Sequence, residues 1–159
     1  MPSLVVASCS LGALNQCTVK AMLIYETLTG NTEKAAGLIG EQLSRGGLEI
    51  TAMSPTTSVD LQALSDSELV VVGTWTDGIL VVGQRPGRAG RLAQLPAMQG
   101  KRAVVFCTYA INPGRTIDKM MGLIGQRGAD VIGGLALHRR HLEEGAKDFS
   151  TRLLEAVGG

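Results

Sequence analysis

The chain has 159 residues, of which 45% are hydrophobic and 18% charged, a composition that fits one globular domain and excludes a disordered chain. The net charge is +1, but residues 1–79 hold 3 lysines and arginines against 8 acidic residues, whereas residues 80–159 hold 12 against 6. This asymmetry favours an anionic partner. The basic residues lack interleaved aromatic residues, which argues against nucleic acid, and no apolar run reaches the ~18 residues of a membrane span.

The three cysteines, Cys9, Cys17 and Cys107, form no metal-binding spacing and no CxxC motif. An odd number of cysteines without a secretory signal favours reduced thiols and a cytoplasmic protein. Cys107 falls within an apolar run and is interpreted as a buried, inert thiol.

Residues 1–20 do not resemble part of a fold. Two interpretations remain open: a disordered arm, or a non-native extension for which Met22 is the natural start. The predicted folded domain spans residues 21–157.

Apolar runs and helical stripes alternate through that domain. The continuous run 21–26 is typical of a strand buried on both faces, and the alternating segment 48–53 predicts a half-buried strand near a sheet edge. In chain order, the predicted elements are strand 21–26, helix 32–45, strand 48–53, helix 60–64, strand 68–74, a glycine-rich functional loop over 74–90, helix 89–95, strand 102–109, helix 115–127, strand 130–137 and helix 141–156. Such alternation predicts a parallel sheet with helices on both faces.

The loop between the first strand and the first helix is rich in hydroxyl groups and contains no lysine or arginine; its residues are Thr27, Leu28, Thr29, Gly30, Asn31 and Thr32. Unpaired N–H groups at a helix start, together with hydroxyl donors, favour a bound anion. The loop lacks the G-x-x-x-x-G-K-[ST] pattern of a nucleotide-triphosphate loop. It is therefore either a cradle for one phosphate monoester or an ordinary helix cap in a polar loop.

The pattern Leu23-Ile24-Tyr25-x-Thr27-x-x-Gly30-x-Thr32-x-x-x-Ala36-x-x-Ile39 resembles the FMN-binding signature of the flavodoxin family, with the T-x-T-G-N-T core intact. Two segments that follow predicted strands are similar to the flavin-flanking loops of that family: Thr74-Trp75-Thr76-Asp77-Gly78 and Cys107-Thr108-Tyr109. The resemblance covers about residues 22–157 and is to the short-chain type. It implies an α/β fold, a three-layer, doubly wound, five-stranded parallel sheet in the order 2-1-3-4-5.

The same resemblance implies that FMN is the cofactor. Its phosphate would be held by Thr27, Thr29, Gly30, Asn31 and Thr32, and its ring would be flanked by Trp75 and Tyr109. The remaining residues that the resemblance places at the cofactor are Leu28, Thr74, Thr76, Asp77, Gly78, Thr108 and Asn112. As alternatives, Trp75 is a core anchor for its loop and Tyr109 a strand-end residue packed on a helix. No catalytic residue and no metal ligand is predicted.

Two features depart from the family pattern. Flavodoxins often have glycine after the loop aromatic, where a peptide flips as the flavin is reduced, whereas the β-branched Thr76 resists positive φ and makes such a flip costly. Flavodoxins are also typically acidic around the flavin, whereas Arg85, Arg88, Arg91 and Arg115 predict a basic rim here. A basic rim favours redox partner proteins with an acidic docking face; a solvated charged surface is the alternative.

The resemblance implies a monomeric electron carrier that moves one or two electrons between redox partner proteins. The alternative is an FMN-dependent oxidoreductase acting on a quinone, porphyrinogen or similar small acceptor, with the arginines of residues 85–91 binding an anionic donor or substrate. A flavin-free regulatory domain is disfavoured, because the acidic cluster that Mg²⁺ needs is missing from the predicted strand ends.

Overall fold

The computed structural model describes residues 18–79 and 82–158 of the chain. In chain order its elements are β1 (Lys20–Tyr25), α1 (Asn31–Arg45), β2 (Glu49–Pro55), α2 (Leu61–Asp66), β3 (Leu69–Ile79), β4 (Val82–Pro86), α3 (Ala89–Ala93), β5 (Arg102–Tyr109), α4 (Thr116–Gly125), β6 (Asp130–His138) and α5 (Leu142–Gly158). β1 begins one residue before its predicted start. Most of the predicted extension, with Cys9 and Cys17, lies outside the described residues.

Five of the strands form a parallel sheet in the order β2-β1-β3-β5-β6. Because β5 and β6 are the fourth and fifth predicted strands, the predicted order 2-1-3-4-5 is confirmed. One apolar cluster joins α1 and α5 to the first face of the sheet, and a second joins α2, α3 and α4 to the other face. The three-layer, doubly wound architecture is therefore present as predicted.

The segment 74–90 is the main difference from the prediction of a loop. β3 continues to Ile79 and pairs with the antiparallel β4, with Thr76 opposite Pro86 and Asp77 opposite Arg85. The backbones approach closely, since a Cβ added at Gly78 (φ 137°) would lie 2.7 Å from the carbonyl oxygen of Gly83. Glycine here permits a tight hairpin, although the number of glycines suggested an irregular loop.

The central strands are buried on both faces, which explains their unbroken apolar sequences. Phe106 is fully buried on β5 and meets Phe149 of α5 edge to face, with ring centroids 5.9 Å apart. Its ring occupies the space beside Gly73, where a Cβ would lie 2.0 Å from the Phe106 ring. The glycine in the middle of β3 is thus a packing requirement of the core.

Both outermost strands of the parallel sheet contain one extra residue. Ala21 and Met22 pair with Ile50 and Ala52, which leaves Thr51 as the additional residue of β2. Ala103 and Val104 pair with Val131 and Gly133, which leaves Ile132 as the additional residue of β6. The prediction that the second strand lies at an edge is confirmed.

The chain reverses its winding direction between β1 and β3, because α1 and α2 cover opposite faces of the sheet. In doubly wound folds, the crevice outside the carboxyl ends of the strands at such a reversal binds ligands. Among the described residues, no helix is long and apolar enough to cross a membrane.

Candidate functional site

The loop from β1 to α1 lies at this reversal and is shaped by its own polar groups. Gly30 adopts a left-handed conformation (φ 93°) as the residue that caps α1, and its N–H donates to Thr27 Oγ1 at 3.0 Å. The side-chain amide of Asn31 donates to Thr29 Oγ1 at 3.3 Å. The first N–H groups of α1 have no acceptor within the helix, so they and the hydroxyls form a donor-rich concavity suited to an anion.

A buried hydroxyl pair connects this loop to the end of β5. Thr32 and Thr108 are only 1% and 3% exposed, and their Oγ1 atoms are 3.1 Å apart. One hydroxyl donates to the other in a region closed to water, where two unpaired hydroxyls would be costly. The pair therefore holds the start of α1 against the central sheet.

A cleft of about 150 Å³ opens beside the loop, lined by Leu28, Thr29, Asn31, Thr32, Trp75, Thr76, Thr108, Tyr109, Ala110 and Arg139. These residues come from the part of β3 that leaves the parallel sheet, from the end of β5 and the residue after it, from the β1–α1 loop and the start of α1, and from the residue after β6. Hydroxyl and amide groups thus share one concave surface with two aromatic side chains.

The segment that follows β4 packs against Trp75. Gly87 donates its N–H to the carbonyl oxygen of Trp75 at 2.8 Å, and its own carbonyl accepts from Thr74 Oγ1 at 2.9 Å. A Cβ on Gly87 would lie 2.1 Å from Trp75 Cε2, so only glycine fits against the indole. The guanidinium carbon of Arg88 lies 5.4 Å from the ring centroid, within the range of a cation–π contact.

Tyr109 has a different environment at the same cleft. Its ring meets His138 edge to face at 5.2 Å, and its carbonyl oxygen accepts from the N–H of Arg139 at 2.9 Å. His138 Nδ1 accepts from the N–H of Arg140 at 3.1 Å. Sequence reasoning omitted Ala110 and Arg139 from the cleft, because no local pattern shows which residue after β6 faces Tyr109.

Six predicted site residues do not line the cleft. Thr74 is fully buried and bonds to Gly87, while Asp77 is exposed and pairs with Arg85 at 3.5 Å. Gly78 and Asn112 line a separate cavity of about 110 Å³ together with Thr76, Gln84, Ala110 and Ile111. Thr27 and Gly30 shape the loop without lining the cleft.

Glu26 is a feature of the site that sequence reasoning missed. Its side chain is 5% exposed, and Oε1 accepts from Arg88 Nη1 at 2.6 Å and from Arg91 Nη1 at 3.0 Å. The hydroxyl of Thr56 donates to Oε2. The available signal was a carboxylate at the end of an apolar strand, which demands buried cationic or donor partners.

The arginines of the predicted basic rim are paired with carboxylates, so the rim carries little unpaired positive charge. Arg88 and Arg91 pair with Glu26, Arg85 pairs with Asp77, and Arg115 pairs with Asp118 at 3.3 Å. Four arginines thus face three carboxylates. Arg139, at the cleft itself, has no carboxylate within 4.0 Å among the described residues.

Cys107 lies beneath the cleft and is fully buried. Burial raises the pKa of its thiol from 9.0 to about 11, and the hydroxyl of Thr76, which donates to Sγ at 3.5 Å, opposes that rise only in part. A thiol held protonated is a poor nucleophile. The interpretation of Cys107 as an inert buried thiol agrees with this environment.

A larger cavity of about 180 Å³ lies elsewhere, between β6 and α5. Its lining is apolar except for Arg152 and includes Val104, Leu135, Phe149 and Leu153. It has no set of convergent polar groups to orient a ligand, which distinguishes it from the smaller cleft at the strand ends.

The fold and the cleft define a doubly wound domain with an anion cradle and aromatic walls at its switch point. The family model described as "Flavodoxin domain" matches residues 22–122. The curated protein "Probable flavodoxin 2" of Bacillus subtilis (strain 168) is 29% identical over 120 residues, which cover 71% of this chain and 77% of that protein.

Solved structures agree in fold. A mutant flavodoxin from Pseudomonas aeruginosa has a TM-score of 0.66 at 22% identity, covering 89% of this chain and 100% of that one. Oxidised Flavodoxin 2 from Bacillus cereus has a TM-score of 0.66 at 19% identity, covering 87% and 99%. The chain belongs to the flavodoxin family. It is accordingly an FMN-binding flavoprotein of electron transfer.

The residues of the cleft fit FMN by their chemistry. FMN combines a phosphate monoester with a planar aromatic ring, and the cleft combines an uncharged cradle at a helix start with Trp75 and Tyr109. The fit thus rests on one surface that offers hydrogen-bond donors and aromatic faces together.

Proposed function

We propose that this chain is an electron carrier that binds FMN in the cleft described above and passes one or two electrons between redox partner proteins. The observation that carries this proposal is the presence of the hydroxyl-rich cradle and both aromatic side chains on one surface at the switch point. Bound FMN supplies the one- and two-electron chemistry.

In this proposal the loop residues bind the phosphate end of the cofactor. Thr27 and Gly30 set the loop conformation, Thr29, Asn31 and Thr32 present donors at the start of α1, and Leu28, 62% exposed, covers the outer side. Because the loop lacks lysine and arginine, the helix N–H groups and dipole provide most of the attraction for the anion.

Trp75 and Tyr109 serve the ring end, with Thr76 and Thr108 between them. Their faces exclude water from the ring and disfavour added negative charge, which lowers the reduction potential. The cleft volume of about 150 Å³ is below the roughly 300–1,000 Å³ of pockets that enclose a drug-sized ligand. A cofactor in it would keep one edge in solvent, where a partner protein can exchange electrons.

The partner that suits this cleft carries an acidic docking face. Arg139 lines the cleft and, with Lys34 and Arg140, a neighbouring cavity of about 190 Å³ that also contains Glu143 and Glu144. The alternative of an enzyme that binds an anionic substrate through residues 85–91 loses its main support, because those arginines pair with carboxylates.

We also propose that the carrier works as a monomer.

The test is a comparison of FMN with riboflavin, which lacks the phosphate. We expect the cofactor-free protein to bind FMN more tightly than riboflavin. Thr29→Ala should weaken FMN binding by roughly ten- to a hundredfold while leaving riboflavin binding unchanged, since one hydrogen bond to a charged group contributes about 1.5–3 kcal/mol. Thr151→Ala, which removes an exposed hydroxyl of α5 outside the cleft, is the control and should change neither affinity. Equal affinities of the native protein for both flavins would contradict the phosphate cradle.

A second measurement separates the carrier from the enzyme. The loaded protein is incubated with a nicotinamide donor and a quinone, with and without a flavoprotein reductase. We expect reduction of the quinone only when the reductase is present. Sustained turnover without it would contradict the carrier.

A further inference from the structure

Glu26 is a buried carboxylate to which the cofactor-binding function assigns no role. A buried charge is unfavourable unless partners and hydrogen bonds compensate it. Here Arg88, Arg91 and the hydroxyl of Thr56 all donate to the carboxylate, although both arginine side chains are more than 40% exposed. The fixed member of the cluster is therefore Glu26, and the arginines are held by it.

Arg88 extends this cluster to the cleft. Its guanidinium lies 2.6 Å from Glu26 Oε1, and its central carbon lies 5.4 Å from the centroid of the Trp75 ring. A planar guanidinium can donate to a carboxylate at its edge while it lies over an aromatic ring. Arg88 also adopts a left-handed conformation (φ 48°), unfavourable for a side chain with a Cβ and sustained only by surrounding contacts.

We propose that Glu26 is a positioning residue for the ring end of the flavin site: through Arg88, it holds the indole of Trp75 in the orientation that lines the cleft. Glu26 directly precedes Thr27, so the same turn of chain that begins the phosphate cradle also fixes the aromatic wall. The proposal rests on the proposed function in one respect, namely that Trp75 contacts the flavin.

Arg91 provides a matched control within the same cluster. It donates to the same carboxylate oxygen as Arg88, at 3.0 Å, and is similarly exposed, at 46% against 41%. The cation–π contact with Trp75 is made by Arg88. Removal of either arginine withdraws one positive charge from Glu26, but only removal of Arg88 withdraws the contact with the indole.

The first test uses the cofactor-free protein, because Trp75 is the sole tryptophan of the sequence. We expect Glu26→Gln and Arg88→Gln to shift the fluorescence emission and the near-ultraviolet circular dichroism of Trp75, and Arg91→Gln to leave both unchanged. Far-ultraviolet circular dichroism verifies that each variant is folded. Equal effects of Arg88→Gln and Arg91→Gln, or no effect of Glu26→Gln in a folded protein, would overturn the proposal.

The second test measures dissociation constants for FMN and riboflavin. We expect Glu26→Gln and Arg88→Gln to raise both constants by about five- to thirty-fold, as loss of a partly desolvated cation–π contact predicts. We expect the same factor for both flavins, because the change affects the ring end of the site and riboflavin, which lacks the phosphate, contacts only that end. A loss confined to FMN would place Glu26 in the phosphate cradle and overturn the proposal. If the native protein bound neither flavin, the proposed function would fail, and the emission test would still decide the role of Glu26.

Discussion

At the scale of single residues, the position of Trp75 depends on a neighbour that has no side chain. Gly87 packs closely against the indole, and its N–H donates to the Trp75 carbonyl oxygen. Nothing in the local sequence Arg85-Pro86-Gly87-Arg88 reveals this, because the contact spans twelve positions along the chain. Such a glycine is identified only when the partner strand is known.

We expect Gly87→Ala to displace the indole, since the new Cβ would lie 2.1 Å from Cε2. Overpacking of this kind costs about 1–3 kcal/mol of unfolding free energy, and flavin binding should weaken with it. Urea unfolding and FMN titration measure the two effects. Gly90→Ala is the control: a Cβ there meets nothing within 4 Å, so stability should be unchanged or higher by up to about 1 kcal/mol. Equal losses in both variants would contradict the contact.

Cys107 predicts a dependence of stability on pH. In the unfolded chain the thiol ionises near 9.0, whereas burial raises its native pKa to about 11. Between these values the unfolded state loses the proton first, so the stabilisation is complete below about pH 9 and is lost as the pH rises towards 11, at no more than about 1.4 kcal/mol per pH unit.

Urea unfolding of the native protein and of Cys107→Ala, between about pH 8 and pH 10, measures this slope. Tyr25 limits the upper end of the range, because burial and the nearby Glu33 raise the pKa of its hydroxyl above 10.0 and add a loss of the same sign at higher pH. We expect the native protein to lose stability more steeply than the variant. Parallel profiles would show that Cys107 makes no such contribution.

At the scale of elements, β3 consists of two unlike parts. Residues 69–73 lie between β1 and β5, whereas residues 76–79 extend beyond the sheet and pair with β4. The first part is fully buried, and its apolar sequence predicted a strand. The sequence did not predict the second part, because that part forms by pairing with β4 and no local pattern indicates this pairing. Thr76 adopts extended backbone in this hairpin, so a peptide flip at this position would also have to break the pairing between β3 and β4.

We expect amide hydrogen exchange to separate the two parts of β3. Amides of residues 70–73 should exchange through global unfolding, and those of residues 76–79 through local opening of the hairpin, faster by at least about a hundredfold. Bound FMN should slow exchange of the residue 76–79 amides more than exchange of the residue 70–73 amides, since Thr76 lines the cleft. The α5 amides, remote from the cleft, are the internal control. Uniform protection along β3 would contradict this division.

At the scale of the whole molecule, the sequence predicted that the hydroxyl-rich loop and both aromatic residues lie together, because each follows an apolar strand whose identity is clear. It did not predict how charges pair. Glu26 and Arg88 are separated by 62 positions, and only the fold shows that one neutralises the other. The positive charge that remains at the cleft therefore belongs to Arg139, which was not among the predicted site residues.

This placement predicts how the reduced protein responds to charged oxidants. We expect the rate with anionic ferricyanide to fall as salt is added and the rate with cationic hexaamminecobalt(III) to rise, because screening weakens attraction and repulsion alike. Stopped-flow oxidation at several ionic strengths measures both. Arg139→Glu should flatten or reverse the two slopes, whereas Arg152→Glu on α5 should not. A rise with ferricyanide in the native protein would contradict a positive cleft.

The extra residues Thr51 and Ile132 bear on how copies of the chain meet. A flat outer strand offers unpaired N–H and C=O groups to any similar strand, and proteins reduce that hazard with bulges that twist the outer strand. Here both outer strands of the parallel sheet carry such a bulge. Sheet-to-sheet polymerisation through either outer strand is thereby discouraged.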